Sequence, residues 1–177
     1  MVTFDFDAEL LRQSVIGKRN IGFSDRSRGQ YGPYEGLKRC LDMLERQNLK
    51  TTFFIPGRIA ELYTEHVKQI ADAGHELAYH GYMHEAEVDM PAAEEEANME
   101  KSEKLLQSFA NQKIVGYRGP LDLLPNCALS LMEKRNYLYC STLKDCDWAY
   151  VHEDYPIVEL PTAVSYTHLT LPTNSRV

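Results

Sequence analysis

Residues 51–84 read TTFFIPGRIAELYTEHVKQIADAGHELAYHGYMH, from Thr51 to His84. Thr51 to Ile55 is β-branched and aromatic, as strands prefer, and Pro56-Gly57 stops it. Ile59, Leu62, Val67 and Ile70 then recur at helical spacing, which predicts a helix from Arg58 to Ala73 with Gly74 as its C-cap. His75 to Tyr79 is the next strand, and it delivers His80 and His84. One strand-helix-strand unit in so few residues points to parallel strands joined by crossover helices.

The same alternation extends outward. Val2 to Phe6 reads as a first strand, and 14–33, rich in Gly, Ser, Arg and Asn, as a loop over the site. A helix from Tyr34 to Gln47 carries Leu37, Cys40, Leu41 and Leu44 on one face. Pro91 opens a helix with an acidic first turn, Glu94 to Glu96, that runs to Phe109 and packs through Leu105, Leu106 and Phe109. Strands are predicted at Ile114–Tyr117, Tyr137–Ser141 and Ile157–Leu160, with a helix over Pro125–Arg135. The class is α/β with a parallel sheet and ligands at the carboxyl ends of its strands. Pattern alone leaves an open sheet and a barrel as alternatives.

With 177 residues and 44% hydrophobic composition, the chain can bury one sizeable core. Its formal charge of -7 gives no electrostatic reason to expect nucleic acid or an anionic membrane. No run approaches the roughly 18 apolar residues of a membrane span, and no signal peptide opens the chain. The product is therefore expected in the cytoplasm, without nucleic-acid or membrane partners and with its oligomeric state open. Cys40, Cys127, Cys140 and Cys146 lack a CxxC spacing and are read as reduced. A zinc site from Cys140, Cys146 and His152 is the weaker alternative.

The chemistry-bearing residues fall at strand ends. Asp5 and Asp7 close strand one, His80 strand three and Arg118 strand four, while Asp145 and Asp147 follow strand five. Asp5 and Asp7 share strand parity, and two like charges so close are costly unless a cation or proton relieves them. Two imidazoles and a carboxylate can hold a metal with a position left open, and the remaining carboxylate can act on a bound water. The bland alternatives are a solvated turn for the Asp pair and chance for the HxxxH pair. His75 sits on the opposite parity and is read as structural; His66, His152 and His168 have no supporting context. Arg118, in Gly116-Tyr117-Arg118-Gly119-Pro120, can fork onto a carboxylate and fix its orientation.

These segments resemble the polysaccharide deacetylase family, the NodB-homology hydrolases of carbohydrate esterase family 4. Thr3-Phe4-Asp5-Phe6-Asp7 resembles the first motif, which implies Asp5 as catalytic base and Asp7 as metal ligand. His80-Gly81-Tyr82-Met83-His84 resembles the second and supplies two histidine ligands. Tyr117-Arg118-Gly119-Pro120 is similar to the third, whose Arg orients the base. The stretch from Ser141 to Tyr150 is similar to the fourth, which makes Asp147 and Trp148, with Tyr117, substrate-binding candidates. Asp-Phe-Asp in place of Asp-Asp-Gly resembles the branch containing peptidoglycan deacetylases and allantoinase-like amidohydrolases.

The resemblance implies an irregular parallel (β/α) barrel of the NodB type. It also implies hydrolysis of a non-peptide carbon-nitrogen bond with Zn2+, or another divalent transition metal such as Co2+. The expected substrate is an N-acetylated sugar or polysaccharide. The alternatives are a small cyclic amide or ureide, and a non-catalytic binding protein on the same fold. The oxyanion is expected to meet a backbone N–H near Tyr117 to Gly119. The family's late catalytic His has no match; His168 follows strand six too soon. Residues 164–177 resemble a translated sequencing adapter, so the expectation is a partial domain over 1–163 and a non-native tail.

Overall fold

The structure, a computed structural model, describes residues 2–12, 22–110 and 112–162. The predicted tail over 164–177 and His168 lie outside the described residues.

Among the described residues seven strands form one sheet in the order β1-β2-β3-β4-β5-β7-β6. They are β1 (Thr3–Asp5), β2 (Thr52–Ile55), β3 (Glu76–Tyr79), β4 (Gly116–Tyr117), β5 (Tyr139–Cys140), β6 (Tyr150–Val151) and β7 (Val158–Glu159). Every pair is parallel except β6 with β7. The register aligns Asp5 with Phe54, Ile55 with Tyr79, Tyr79 with Tyr117, Tyr117 with Cys140 and Cys140 with Glu159. The ladder continues one residue past the strands, where Arg118 N–H donates to the Tyr79 carbonyl at 3.0 Å and Ser141 N–H to that of Tyr117 at 2.9 Å. Asp5, His80, Arg118 and Ser141 are thereby collected along one edge of the sheet.

The helices are α1 (Phe23–Tyr31), α2 (Leu37–Arg46), α3 (Gly57–Leu62), α4 (Thr64–Asp72), α5 (Ala92–Gln107) and α6 (Ala128–Lys134). All four β2 residues are buried, as expected of a parallel strand covered on both faces. Leu37, Leu44, Ile59, Val67, Ile70, Met99, Leu106, Leu131 and Met132 close over the sheet with Phe53, Ile55, Leu77 and Tyr79. His75 is buried, with the Thr51 N–H directed at its Nδ1 at 3.3 Å, which agrees with a structural role. The four cysteines are free; Cys140 is buried and Cys146 exposed.

Three expectations are corrected. The predicted loop over 14–33 is helical from Phe23 to Tyr31 and continues as a π-helical turn, Gly32–Gly36, into α2. The low mean hydropathy of α1 hides it from periodicity, and Gly29 lets it approach the Glu9 backbone, where an added Cβ would lie 2.5 Å from the Glu9 Cα. The single helix over 58–73 is broken at Tyr63 (φ -121°, ψ 42°), which turns the Tyr63 ring inward against Phe6 and its hydroxyl to donate to Glu9 at 2.8 Å. The break leaves Leu62 exposed instead of inward. An unpredicted strand, β6, folds back on β7 through His152 N–H donating to the Ile157 carbonyl at 3.0 Å.

Candidate metal centre

β1 ends at Asp5, and the chain then carries Phe6 into the core and Asp7 back to the sheet edge. β3 ends at Tyr79, and a turn with two left-handed residues, Gly81 (φ 74°) and His84 (φ 61°), brings His84 beside His80. Their ring centroids lie 4.9 Å apart. His80 Nε2 is 3.5 Å from Asp7 Oδ1, and His84 Nε2 is 3.5 Å from Asp7 Oδ2.

His80 Nδ1 lies 2.6 Å from the Arg118 carbonyl, which can only accept. That contact assigns the proton to Nδ1 and turns the Nε2 lone pair toward Asp7. Burial pushes the His80 pKa down, against the pull of Asp7 and Asp5 upward. A neutral ring is the form that binds metals.

Asp7 Oδ1 is buried without a hydrogen-bond partner among the described residues. A buried carboxylate oxygen in that condition is costly unless a cation serves it. One ligand atom from each of Asp7, His80 and His84 lies within 4.8 Å of the others. Zinc bonds of about 2.0–2.2 Å in a tetrahedron separate ligand atoms by roughly 3.3–3.5 Å. The 3.5 Å spacings, from Asp7 Oδ1 to His80 and from Asp7 Oδ2 to His84, exceed a normal hydrogen bond and leave room for an ion among the three side chains. The three predicted ligands therefore fit a divalent ion.

Asp5 sits alongside. Its Oδ1 accepts from Arg118 Nη1 at 2.7 Å, and its Oδ2 lies 3.9 Å from His80 Nε2. Arg118 is fixed on every side: Nε donates to the Ser141 carbonyl at 2.8 Å, and Nη2 to Thr3 Oγ1 at 2.9 Å and Ser141 Oγ at 2.8 Å. Its guanidinium carbon stands 4.0 Å from the Phe54 ring centroid. Ser141 is held in turn, its hydroxyl donating to the Leu160 carbonyl at 2.8 Å.

The structure thus joins Asp5, Asp7, His80, His84 and Arg118. It treats the other predicted residues differently. Tyr117 is buried with its ring stacked on Tyr79 at 5.2 Å, so its side chain faces the core and not a substrate. Asp147 lines a groove of about 520 Å³ with Thr3, Arg118, Ser141 and Leu160. Trp148 stands 81% exposed and is not part of that lining. Two of the three expected oxyanion donors are engaged elsewhere. The Arg118 N–H is bonded to Tyr79, and the Gly119 N–H donates to Thr142 Oγ1 at 2.8 Å.

Sequence reasoning missed Thr3, Phe54, Ser141 and Thr142. Thr3 was within reach, since it shares strand parity with Asp5. Glu159 was also missed. It is buried, accepts from the Thr142 and Leu143 N–H groups at 2.7 and 2.9 Å, and lies 3.1 Å from His152 Nε2.

Residues 30–139 match the family model described as polysaccharide deacetylase. That span contains His80, His84 and Arg118, while Asp5 and Asp7 join the site by geometry. The chain is 31% identical over 167 residues to a peptidoglycan deacetylase-like protein of Gibberella zeae, covering 89% of this chain and 48% of the relative. It is 33% identical over 131 residues to a peptidoglycan deacetylase of Helicobacter pylori, covering 74% of this chain and 42% of that one. The chain spans about half the length of these curated relatives. A crystal structure of a candidate polysaccharide deacetylase from Mycobacterium smegmatis superposes with a TM-score of 0.81 at 34% identity, covering 98% of this chain and 63% of that one. The predicted α/β class and parallel barrel-type architecture are borne out. Among the described residues no helix is long and apolar enough to cross a membrane. On the family match, the extent of the two sequence likenesses and the shared fold, this chain belongs to the polysaccharide deacetylase family.

Proposed function

We propose that this chain carries the metal-binding face and the base of a hydrolase that removes acetyl groups from N-acetylated sugars of a polysaccharide. The observation that carries the proposal is the Asp7, His80 and His84 cluster with the Arg118-held Asp5 beside it. The relatives in Helicobacter pylori and Gibberella zeae, a peptidoglycan deacetylase and a peptidoglycan deacetylase-like protein, support this substrate class.

Asp7, His80 and His84 would hold Zn2+, with Co2+ as a working substitute. When bound, such an ion supplies Lewis acidity toward an amide carbonyl and acidifies a water molecule. Asp5 takes the proton of the attacking water. Its Oδ1 is occupied by Arg118, so Oδ2, on the side of His80, is the oxygen left to receive it. Arg118 cannot give up its own proton and keeps the Asp5 carboxylate aimed. The groove that holds Asp147 and Ala149 reaches Arg118, the residue that aims Asp5.

The test is acetate release by the longer parent protein from N-acetylglucosamine oligomers and from peptidoglycan, with allantoin as the small-ureide comparison. Asp5→Asn should abolish turnover while zinc still binds. Loss of zinc in that variant would make Asp5 a ligand and overturn these roles. Turnover of allantoin with none of the glycans would replace the substrate class.

The division at 163 is part of the same proposal: residues 1–163 belong to one deacetylase domain whose leaving-group acid lies elsewhere, and 164–177 are foreign to it. Resequencing the locus past codon 163 tests it. A confirmed stop at codon 178 would favour the non-catalytic binding protein.

A further inference from the structure

The turn from Gly81 to His84 is built around a side chain that the proposed reaction does not use. Glu85 folds back under the turn. Its Oε2 accepts from the Tyr82 N–H at 2.9 Å and its Oε1 from the Met83 N–H at 2.8 Å. Two successive backbone N–H groups that converge on one carboxylate form an anion-binding nest. On the other side, the Gly81 and Tyr82 carbonyls accept from the Gly57 and Arg58 N–H groups at 3.0 and 2.9 Å. The fork leaves no space at Gly81, where an added Cβ would lie 2.9 Å from Glu85 Oε2.

His84 occupies a left-handed conformation, φ 61°, which costs a residue with a Cβ on the order of 1 kcal/mol. Such a conformation persists where its surroundings over-determine it. Without the fork, the Tyr82 and Met83 N–H groups are free to rotate, and the turn can relax toward an ordinary φ. That relaxation would carry the His84 ring away from Asp7, to which His84 Nε2 now stands at 3.5 Å.

We propose that Glu85 is a positioning residue of the metal centre: through two backbone hydrogen bonds it holds the turn that presents His84 to the ion. This inference rests on the metal-site reading above. Partners that orient metal ligands typically cost 10–100-fold in affinity when removed.

The test measures zinc affinity by chelator competition in the 177-residue chain, for the unaltered sequence, Glu85→Ala and Glu85→Gln. The near-UV circular dichroism of each metal-free form and the visible absorption of each Co2+-loaded form are recorded alongside. Glu85→Ala should weaken zinc at least tenfold and change the Co2+ absorption, with the metal-free spectrum retained. Glu85→Gln, which keeps one acceptor oxygen, should fall between. Zinc affinity within threefold of the unaltered chain in Glu85→Ala would overturn the proposal. If Glu85→Ala loses its near-UV spectrum, Glu85→Gln decides: weaker zinc with an intact spectrum supports the role, and unchanged affinity overturns it. Failure of the unaltered chain to bind zinc would instead overturn the metal site, and this inference with it.

Discussion

Arg118→Lys separates the two jobs that meet at residue 118. Lysine keeps the positive charge and can still reach Asp5, but it has no planar fork. The bonds to the Ser141 carbonyl, Ser141 Oγ and Thr3 Oγ1 are lost together. At about 1 kcal/mol net for each, the variant should be about 3 kcal/mol less stable. The main-chain carbonyl that holds His80 Nδ1 is untouched by the substitution, so zinc affinity should stay within about threefold. Urea denaturation of the metal-free protein gives the first quantity, and chelator competition the second. A loss below about 1 kcal/mol at an unchanged m-value would refute the argument that the guanidinium ties β1, β4 and the segment after β5 together. A large fall in zinc affinity would show that the side chain, and not the backbone, supports the metal face.

Glu95 is 2% exposed, and burial, with Glu85 and Glu94 nearby, raises its pKa from 4.5 to about 8 although the Tyr79 hydroxyl donates to it. Between those values the folded state binds more protons than the unfolded one, so stability should fall as pH rises from 4.5 toward 8. Glu95→Gln keeps the acceptor for Tyr79 and should flatten that decline; an unchanged slope in thermal melts from pH 5 to pH 9 would count against it. Gly119→Ala would place a Cβ 2.0 Å from the Leu123 carbonyl oxygen and 3.1 Å from Thr142 Cγ2. The backbone must move, with an expected loss of about 1–3 kcal/mol; a melting temperature within about 1 °C of the unaltered protein would show that Leu123 yields freely. Asp7→Ala removes the one carboxylate of the metal cluster and should abolish stoichiometric zinc binding in equilibrium dialysis, whereas retained stoichiometry would place the ion elsewhere.

The apolar runs Phe53-Phe54-Ile55 and Leu77-Ala78-Tyr79 in β2 and β3 were legible because a parallel strand covered on both faces is near-continuously apolar. Once those strands were aligned, Asp5, His80 and Arg118 had to meet at their carboxyl ends. α1 was not legible, because its residues, FSDRSRGQY, lack an apolar stripe and its contact with Glu9 depends on the missing side chain of Gly29. The break at Tyr63 was hidden for a related reason. It is set by a hydroxyl reaching Glu9, 54 positions away in sequence, which local periodicity does not encode.

Within the site, types of side chain that bind metals or shuttle protons announced themselves, while their supports did not. Phe54 is an ordinary strand residue, and Ser141 and Thr142 ordinary residues just past β5, until Arg118 and Gly119 are placed among them. Tyr117 failed in the opposite direction. It is adjacent to Arg118, and successive residues of a strand point to opposite faces, so the orientation that serves the site at 118 buries the ring at 117.

Zinc K-edge X-ray absorption of the stoichiometrically loaded chain reads the atoms around the ion itself. The expected shell is two imidazole nitrogens and a carboxylate oxygen from Asp7, at about 2.0–2.2 Å, with the remaining scatterers light. Sulfur at about 2.3 Å would place the ion on one of the four free cysteines and contradict the site described here.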